Sequence, residues 1–256
     1  MNILAVGDVV GTQGCEFLRR KLPAFKKLKQ IDFTVVNGEN SAAGNGITPF
    51  SAQYLFDSGA DVITTGNHVF RRREIYDFLD ERFDVIRPAN YYPENPGSGF
   101  TVIDKGFVKI GVVNLAGKSY MDNASNPFTC VDSVLGKLED CRIILVDFHA
   151  EATAEKRAMG FYLASRVSAV FGTHTHVMTA DAQVLDGGTG YITDLGMTGP
   201  KNSVLGVKSD IAIGWLKTGM PARFDTADTP CMLNGCISEI DEKTGKTLSV
   251  ESVCIE

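Results

Sequence analysis

The feature that most constrains this chain is a repeated alternation of short, apolar, β-branched runs with stretches of helical periodicity. The short runs are Ile3–Val6, Asp32–Val36, Val62–Thr64, Val85–Ile86, Ile143–Val146 and Ala169–Phe171. Between the first two, residues 13–29 place Phe17, Leu18, Leu22, Phe25 and Leu28 close to a 3.6-residue period. Arg19, Arg20, Lys26 and Lys27 fall on the other side and read as a solvated face, and Pro23 is expected to kink this helix. Further helices are predicted over Pro49–Ser58, with Thr48 as N-cap, over Arg72–Leu79 and over Ala154–Arg166. Strands separated by helices imply parallel pairing with crossover connections. Later segments change character. Phe100–Ile103 and Val108–Val113 flank a Lys105-Gly106 turn, Ala182–Val184 begins another strand, and Met232–Ile240 with Leu248–Ile255 alternate around Lys243-Thr244-Gly245-Lys246 as a hairpin. The expected fold is α/β, a layered αββα sandwich of mixed β-sheets flanked by helices, with residues 1–256 as one domain. The Pro- and Gly-containing stretch Tyr91–Gly99 reads as a surface loop.

Composition narrows the function classes. A hydrophobic fraction of 44% and a charged fraction of 22% are ordinary for a globular chain, and 256 residues suffice to bury a large core without staples. Twenty-five Lys and Arg against thirty-one Asp and Glu give a net charge of −6. That balance argues against long nucleic acid, which is held by basic side chains. It does not argue against a small phosphorylated substrate whose charge is met by cations. The six cysteines, at 15, 130, 141, 231, 236 and 254, form no C-x-x-C pair and read as reduced thiols. No apolar run reaches the roughly 18 residues of a membrane span, and Met1–Asp8 lacks a basic leader, so a cytoplasmic protein without a membrane partner is expected.

The chemistry is positional. Asp8 follows Ile3–Val6; Glu39 and Asn40 follow Asp32–Val36; Asn67 and His68 follow Val62–Thr64; His149 follows Ile143–Val146; His174 and His176 follow Ala169–Phe171. Each is expected at the carboxyl end of a strand, the rim at which open α/β sheets bind ligands. All four histidines of the chain join this pattern. Carboxylate, amide and imidazole donors suit Mn, Fe or Zn better than Ca or Cu(I). Glu39 has two oxygens with which to bridge two ions. His174 and His176, two apart in a segment read as extended, are expected to point the same way.

Gly7-Asp8, Gly38-Glu39-Asn40, Gly66-Asn67-His68, His149 and Thr173-His174-Thr175-His176 resemble, in that order, the motifs of the calcineurin-like metallophosphoesterases over residues 1–180. Two positions depart from the common pattern. Val10 stands where an Asp-x-His motif has its histidine, and Glu39 stands where the bridging carboxylate is usually aspartate. With Met1–Gly11, Asn37–Asn40 and Asp147–Thr153, these departures resemble a narrower branch, the bacterial YmdB-like phosphodiesterases, across essentially the whole chain. The resemblance implies hydrolysis of small cyclic phosphodiesters such as 2′,3′-cyclic nucleotides at a pair of iron or manganese ions. One ion would take Asp8, Glu39, Asn40 and His176; the other would take Glu39, Asn67, His149 and His174. A hydroxide bridging the ions would attack phosphorus, and His68 is the candidate general acid for the leaving oxygen.

Other motifs are weaker. Ala116-Gly117-Lys118-Ser119 ends like a P-loop, but Val112 stands where that motif needs glycine, and Gly7–Gly11 lacks dinucleotide-binding spacing. Arg71, Arg72 and Arg73 read as a solvated helix start. Phe70 and Tyr120 are candidate stacking partners for a base, and Asp147 and Glu151 are candidates to orient His149. Two rival functions share this sequence: a regulatory or scaffold protein with vestigial activity, and a phosphomonoesterase on the same fold. A homo-oligomer is compatible with either.

Overall fold

The computed structural model describes residues 1–121 and 124–256. In chain order the strands are β1 (Asn2–Val6), β2 (Asp8–Val9), β3 (Phe33–Asn37), β4 (Val62–Thr64), β5 (Val85–Ile86), β6 (Phe100–Asp104), β7 (Lys109–Ala116), β8 (Ile143–His149), β9 (Ala169–Thr173), β10 (Gln183–Leu185), β11 (Thr189–Ile192), β12 (Met197–Pro200), β13 (Cys231–Ile240) and β14 (Thr247–Ile255). The helices are α1 (Gly11–Lys29), α2 (Pro49–Ser58), α3 (Ile75–Glu81), α4 (Pro127–Leu135), α5 (Thr153–Leu163) and α6 (Ser209–Thr218).

The strands form two mixed sheets. In the first, β1, β3, β4 and β5 run parallel, and β13 pairs antiparallel with β1, β12 and β14. In the second, β7, β8, β9 and β11 run parallel, with β6 and β10 as antiparallel edges. Side chains alternate faces along a strand, and that period places the layers. Ile3 and Ala5 of β1 and Phe33 and Val35 of β3 pack with Ile110, Val112, Leu145 and Phe171 of the second sheet in one core. Leu4, Val6 and Val36 face the other way, against Leu18 and Leu22 of α1 and Leu55 of α2. On the far side, Val113, Val146 and Val170 meet Val131 of α4 and Met159 and Leu163 of α5. The order of layers is helix, sheet, sheet, helix, the expected αββα sandwich. Among the described residues no helix is long and apolar enough to cross a membrane.

Several expectations are corrected. Helix α1 begins two residues early and passes through Pro23 as one helix, since the solvated side of the helix tolerates the lost hydrogen bond. Helix α3 starts at Ile75 rather than Arg72 because Arg72 is extended and its guanidinium is bound by the carbonyls of Ala43 and Asn45. Helix α5 ends at Leu163, three residues short of Arg166; Ala164 leaves the helix and Ser165 has φ 66°. Helices α4 and α6 and strands β2, β11 and β12 are not among the expected elements; the three strands are only two to four residues long. The polar strand ends line not one rim but two, since β1, β3 and β4 belong to one sheet and β8 and β9 to the other.

Candidate metal centre

The carboxyl ends of the two sheets meet, and the site lies at their junction. Below it, Asp147 of β8 is fully buried and takes hydrogen bonds across the sheet interface from Thr64 Oγ1 (2.5 Å) and Asn37 Nδ2 (3.1 Å), and from Thr173 Oγ1 (2.7 Å) in its own sheet. Burial raises the Asp147 carboxyl to about 6 against the pull of His149 and these donors. Because Thr173 donates to Asp147, its oxygen accepts from His149 Nδ1 at 2.9 Å. The Nδ1 proton is thereby fixed and Nε2 faces the junction. Asp147 thus orients His149 through Thr173. Glu151 does not; it holds His174 Nε2 at 3.1 Å.

Around His149 Nε2 the donor atoms converge. Asn67 Oδ1 lies at 2.9 Å, His174 Nδ1 at 3.1 Å and Glu39 Oε2 at 3.3 Å. Glu39, His149 and His174 offer ligand atoms all within 4.8 Å of one another. Gly66 makes this possible, since a Cβ there would sit 2.2 Å from His149 Cδ2 and 2.5 Å from Glu39 Oε2. Beside this cluster, Asp8 is completely buried, and its Oδ1 has no hydrogen-bond partner. That oxygen lies 3.7 Å from His176 Nε2 and 4.0 Å from His149 Nδ1. A buried carboxylate oxygen without a donor is costly unless a cation meets it, so the donor set fits metal binding.

Electrostatics agree. Burial pushes the Asp8 carboxyl up, partly offset by His176 and His149. Burial also pushes Glu39 up, but His149 and His68 outweigh it and hold Glu39 well below the usual carboxylate range. Burial lowers His149, yet Glu39, Asp8 and Asp147 raise it to about 9, while burial and the His149 charge depress His174 to about 3. Without metal, one proton on His149 Nε2 therefore stands among Glu39, Asn67 and neutral His174, where a cation would lie.

His174 and His176 are brought together, but not by an extended segment. Both have positive φ, 101° and 63°, a conformation rare outside glycine. Three contacts hold them: His174 N–H donates to Asp8 Oδ2 (3.1 Å), Thr175 N–H to Asp194 Oδ2 (3.1 Å), and His176 Nδ1 meets the Leu205 carbonyl (3.1 Å). Asp194 is itself paired with buried Lys156 at 2.6 Å. Asn40 turns its amide nitrogen to Glu39 Oε1 (2.9 Å) and His176 Nε2 (3.4 Å), and its oxygen to His68 Nδ1 (2.8 Å). His68 also supplies its backbone N–H to Glu39 Oε2 at 3.0 Å.

These groups open into a cleft of about 380 Å³ whose walls include Glu39, His68, His174, His176, Leu205 and Phe224. No Lys or Arg lines it among the described residues. Phe70 and Tyr120 do not line it either. Phe70 packs against Tyr76 and Tyr91, and Tyr120 is 92% exposed elsewhere. Phe224, Asp194 and Lys156 were not singled out from sequence. Asp194 follows β11 as Glu39 follows β3, so the same strand-end rule finds it once β11 is recognised.

A profile of the family described as "YmdB-like protein" matches residues 4–253. The chain belongs to this family. It is 41% identical over 256 residues to the 2′,3′-cyclic-nucleotide 2′-phosphodiesterase of Bacillus subtilis, covering 100% of this chain and 97% of that protein. Two solved structures match throughout: a hypothetical protein from Thermus thermophilus (TM-score 0.94, 36% identity, 100% and 99% of the two chains) and a phosphatase from Mycoplasma pneumoniae (TM-score 0.94, 33% identity, 100% and 93%). The YmdB-like resemblance of the sequence is thus shown, and the Bacillus and Mycoplasma relatives are described as a phosphodiesterase and a phosphatase.

Proposed function

We propose that this protein is a dinuclear metal-dependent phosphodiesterase that opens small cyclic phosphodiesters, 2′,3′-cyclic nucleotides among them. The observation that carries this is the junction itself: Asp8 with its orphaned buried oxygen, Asn67 and His149 lie with Glu39, His174 and His176, the last three lining a cleft that offers a phosphate no Lys or Arg among the described residues. The name of the Bacillus relative supports the substrate class. Residues 1–256 act as one domain in this reading, since both sheets supply the site.

One ion would be held by Glu39, Asn67, His149 and His174, the other by Asp8, Glu39 and His176; Asn40, expected from sequence as a further ligand of that second ion, instead turns its oxygen to His68 Nδ1. Carboxylate, amide and imidazole donors favour Fe or Mn. Such a pair supplies charge to the phosphate and a nucleophile at neutral pH. The protein's own groups do the rest. Thr173 and Asp147 keep the His149 tautomer, and Glu151 keeps that of His174 by engaging Nε2, leaving Nδ1 for the ion. Asn40 Oδ1 accepts from His68 Nδ1–H at 2.8 Å, so the imidazolium form of His68 would present Nε2–H to give its proton to the ribose oxygen as the P–O bond breaks.

The test is turnover by the Mn²⁺-loaded protein on 2′,3′-cyclic nucleotides, 3′,5′-cyclic nucleotides and p-nitrophenyl esters. His68→Ala should keep its metal content and lose roughly 10²–10⁴-fold in kcat. An unchanged kcat removes His68 from the acid role, and no metal-dependent turnover on the whole panel refutes the reading.

A further inference from the structure

One wall of the cleft is unlike the rest. Beside the charged floor lie Leu205, Val207 and Phe224, with Asp225 and Thr226, in the connection between β12 and β13. This wall is fastened to the metal-binding floor. The Leu205 carbonyl meets His176 Nδ1 at 3.1 Å. Val207 bridges Thr226 in antiparallel fashion, and Ala227 N–H donates to the Gly206 carbonyl at 2.9 Å. Those pairings join residues 204–207 to the segment that carries Phe224. The Phe224 ring is fixed from its other neighbour: Trp215 of α6 meets it edge-to-face, centroids 5.5 Å apart at 86°. With that contact made, Phe224 remains 47% exposed while lining the cleft.

A large apolar ring left half-exposed in a concave site, in edge contact with a second aromatic and tied by backbone contacts to a metal-binding imidazole, is suited to bind something flat. The cleft volume of about 380 Å³ falls at the small end of the range for small-molecule sites, enough for one nucleotide and not for an oligomer. The cleft offers different chemistry to the two ends of a nucleotide: a cation-binding floor, and a wall that carries the Phe224 ring with Asp225 and Thr226 beside it.

We propose that Phe224, backed by Trp215, is the nucleobase platform of this site, and that its stacking selects cyclic phosphates carrying a base over base-free ones. The inference rests on the phosphodiesterase reading for the position of the phosphate, and it replaces Phe70 and Tyr120 as stacking partners. Stacking is sequence-tolerant, because every base has a π-face, so the platform predicts preference for nucleotides as a class rather than for one base.

Two measurements test it. In turnover, Phe224→Ala in the Mn²⁺-loaded protein should lower kcat/KM on 2′,3′-cyclic AMP about tenfold more than on glycerol 1,2-cyclic phosphate, chiefly through KM, and Phe224→Tyr should restore the ratio. Equal losses on both substrates, or none on either, overturn the proposal and leave Phe224 a packing residue. In binding, Trp215 is the chain's single tryptophan and touches Phe224, so its fluorescence reports the platform directly. Adenosine 3′-monophosphate should change it saturably, glycerol phosphate should not, and Phe224→Ala should abolish the response. If the protein turns over no cyclic nucleotide but shows this discrimination, the platform stands and the reaction reading falls. Turnover of 2′,3′-cyclic AMP with no nucleotide-specific response of Trp215 overturns the platform alone.

Discussion

Replacing Lys156 by methionine should destabilise this protein far more than its count of lost contacts suggests. Lys156 Nζ lies 2.6 Å from Asp194 Oδ2, with side chains 2% and 1% exposed. Methionine keeps the apolar stem and removes only the charge, which leaves the Asp194 carboxyl without its cation in a dry interior. Breaking a buried ion pair from one side costs about 3–5 kcal/mol. Asp194 retains two donors, Thr175 N–H at 3.1 Å and Gly196 N–H at 2.8 Å, which hold the loss to about 3 kcal/mol. In a chain of this size that corresponds to a Tm lower by roughly 6–12 °C. The comparison is Lys29→Met, which breaks the exposed Lys29–Glu251 pair (2.9 Å, side chains 38% and 60% exposed) and should cost about 0.5 kcal/mol or less. Urea unfolding of the metal-free protein measures both. Equal losses from the two variants would refute the argument, because it rests entirely on burial. The same variant should weaken metal binding, since Asp194 holds the Thr175 N–H between the two positive-φ histidines.

Gly66→Ala should cost about 10²-fold in kcat/KM while leaving the far-UV circular dichroism unchanged: its φ is not in the left-handed region, but the added Cβ meets His149 Cδ2 at 2.2 Å and forces a shift of about 1 Å. Activity within threefold of the parent would count against the metal centre as drawn. Metal uptake at pH 7 should release about one proton, because His149, raised to about 9, is charged there and His174, lowered to about 3, is already neutral. The sign follows: the metal needs neutral His149, so apparent affinity falls about tenfold per pH unit as pH drops below 9. Calorimetry in buffers of different ionisation enthalpy reads the proton count, and zero release at pH 7 contradicts the assignment.

The layered fold class was legible from sequence, and so was the grouping of polar side chains at the junction, for a physical reason. A buried strand must be apolar over its length, so a polar group just beyond it is conspicuous; Asp8, Glu39, Asn67 and His149 are all found this way. The same rule says nothing about which sheet a strand joins. Strands β4 and β8 look alike as apolar runs, yet Thr64 and Asp147 at their ends face each other across two sheets. Pairing is a long-range choice made by the packing of Ile3, Phe33, Leu145 and Phe171, not by local pattern. Backbone conformation was invisible too. His174-Thr175-His176 reads as extended by spacing, and only Asp8, Asp194 and the Leu205 carbonyl, distant in sequence, force it otherwise. Phe224 lies in the connection between β12 and β13, where no period marks it, and its meaning comes from Trp215 and the cleft.

The junction is held together by groups that would be expensive anywhere else, and this explains why it should bind cations. Asp8, Glu39, Asp147, His149 and Asp194 are all buried at one point where two sheets meet. Hydrogen bonds satisfy Asp147 and Lys156 satisfies Asp194, so those two act as struts between and beneath the sheets. Glu39 is met by His149, Asn40 and the backbone of His68. Asp8 is the exception: one oxygen takes the His174 N–H and the other takes nothing. A sequence selected for stability alone would place an amide or an apolar residue there. Keeping a carboxylate makes sense if the state with cations bound is the one that must be favoured, because a ligand that binds only the folded chain adds RT ln(1 + [L]/Kd) to its stability. Asp8→Asn should then reverse sign between the two states, stabilising the metal-free protein and destabilising it relative to the parent once Mn²⁺ is present. Thermal unfolding with and without the ion tests that crossing of the two curves; an Asp8→Asn protein less stable than the parent in both conditions would show that the orphaned oxygen carries no strain for a metal to relieve.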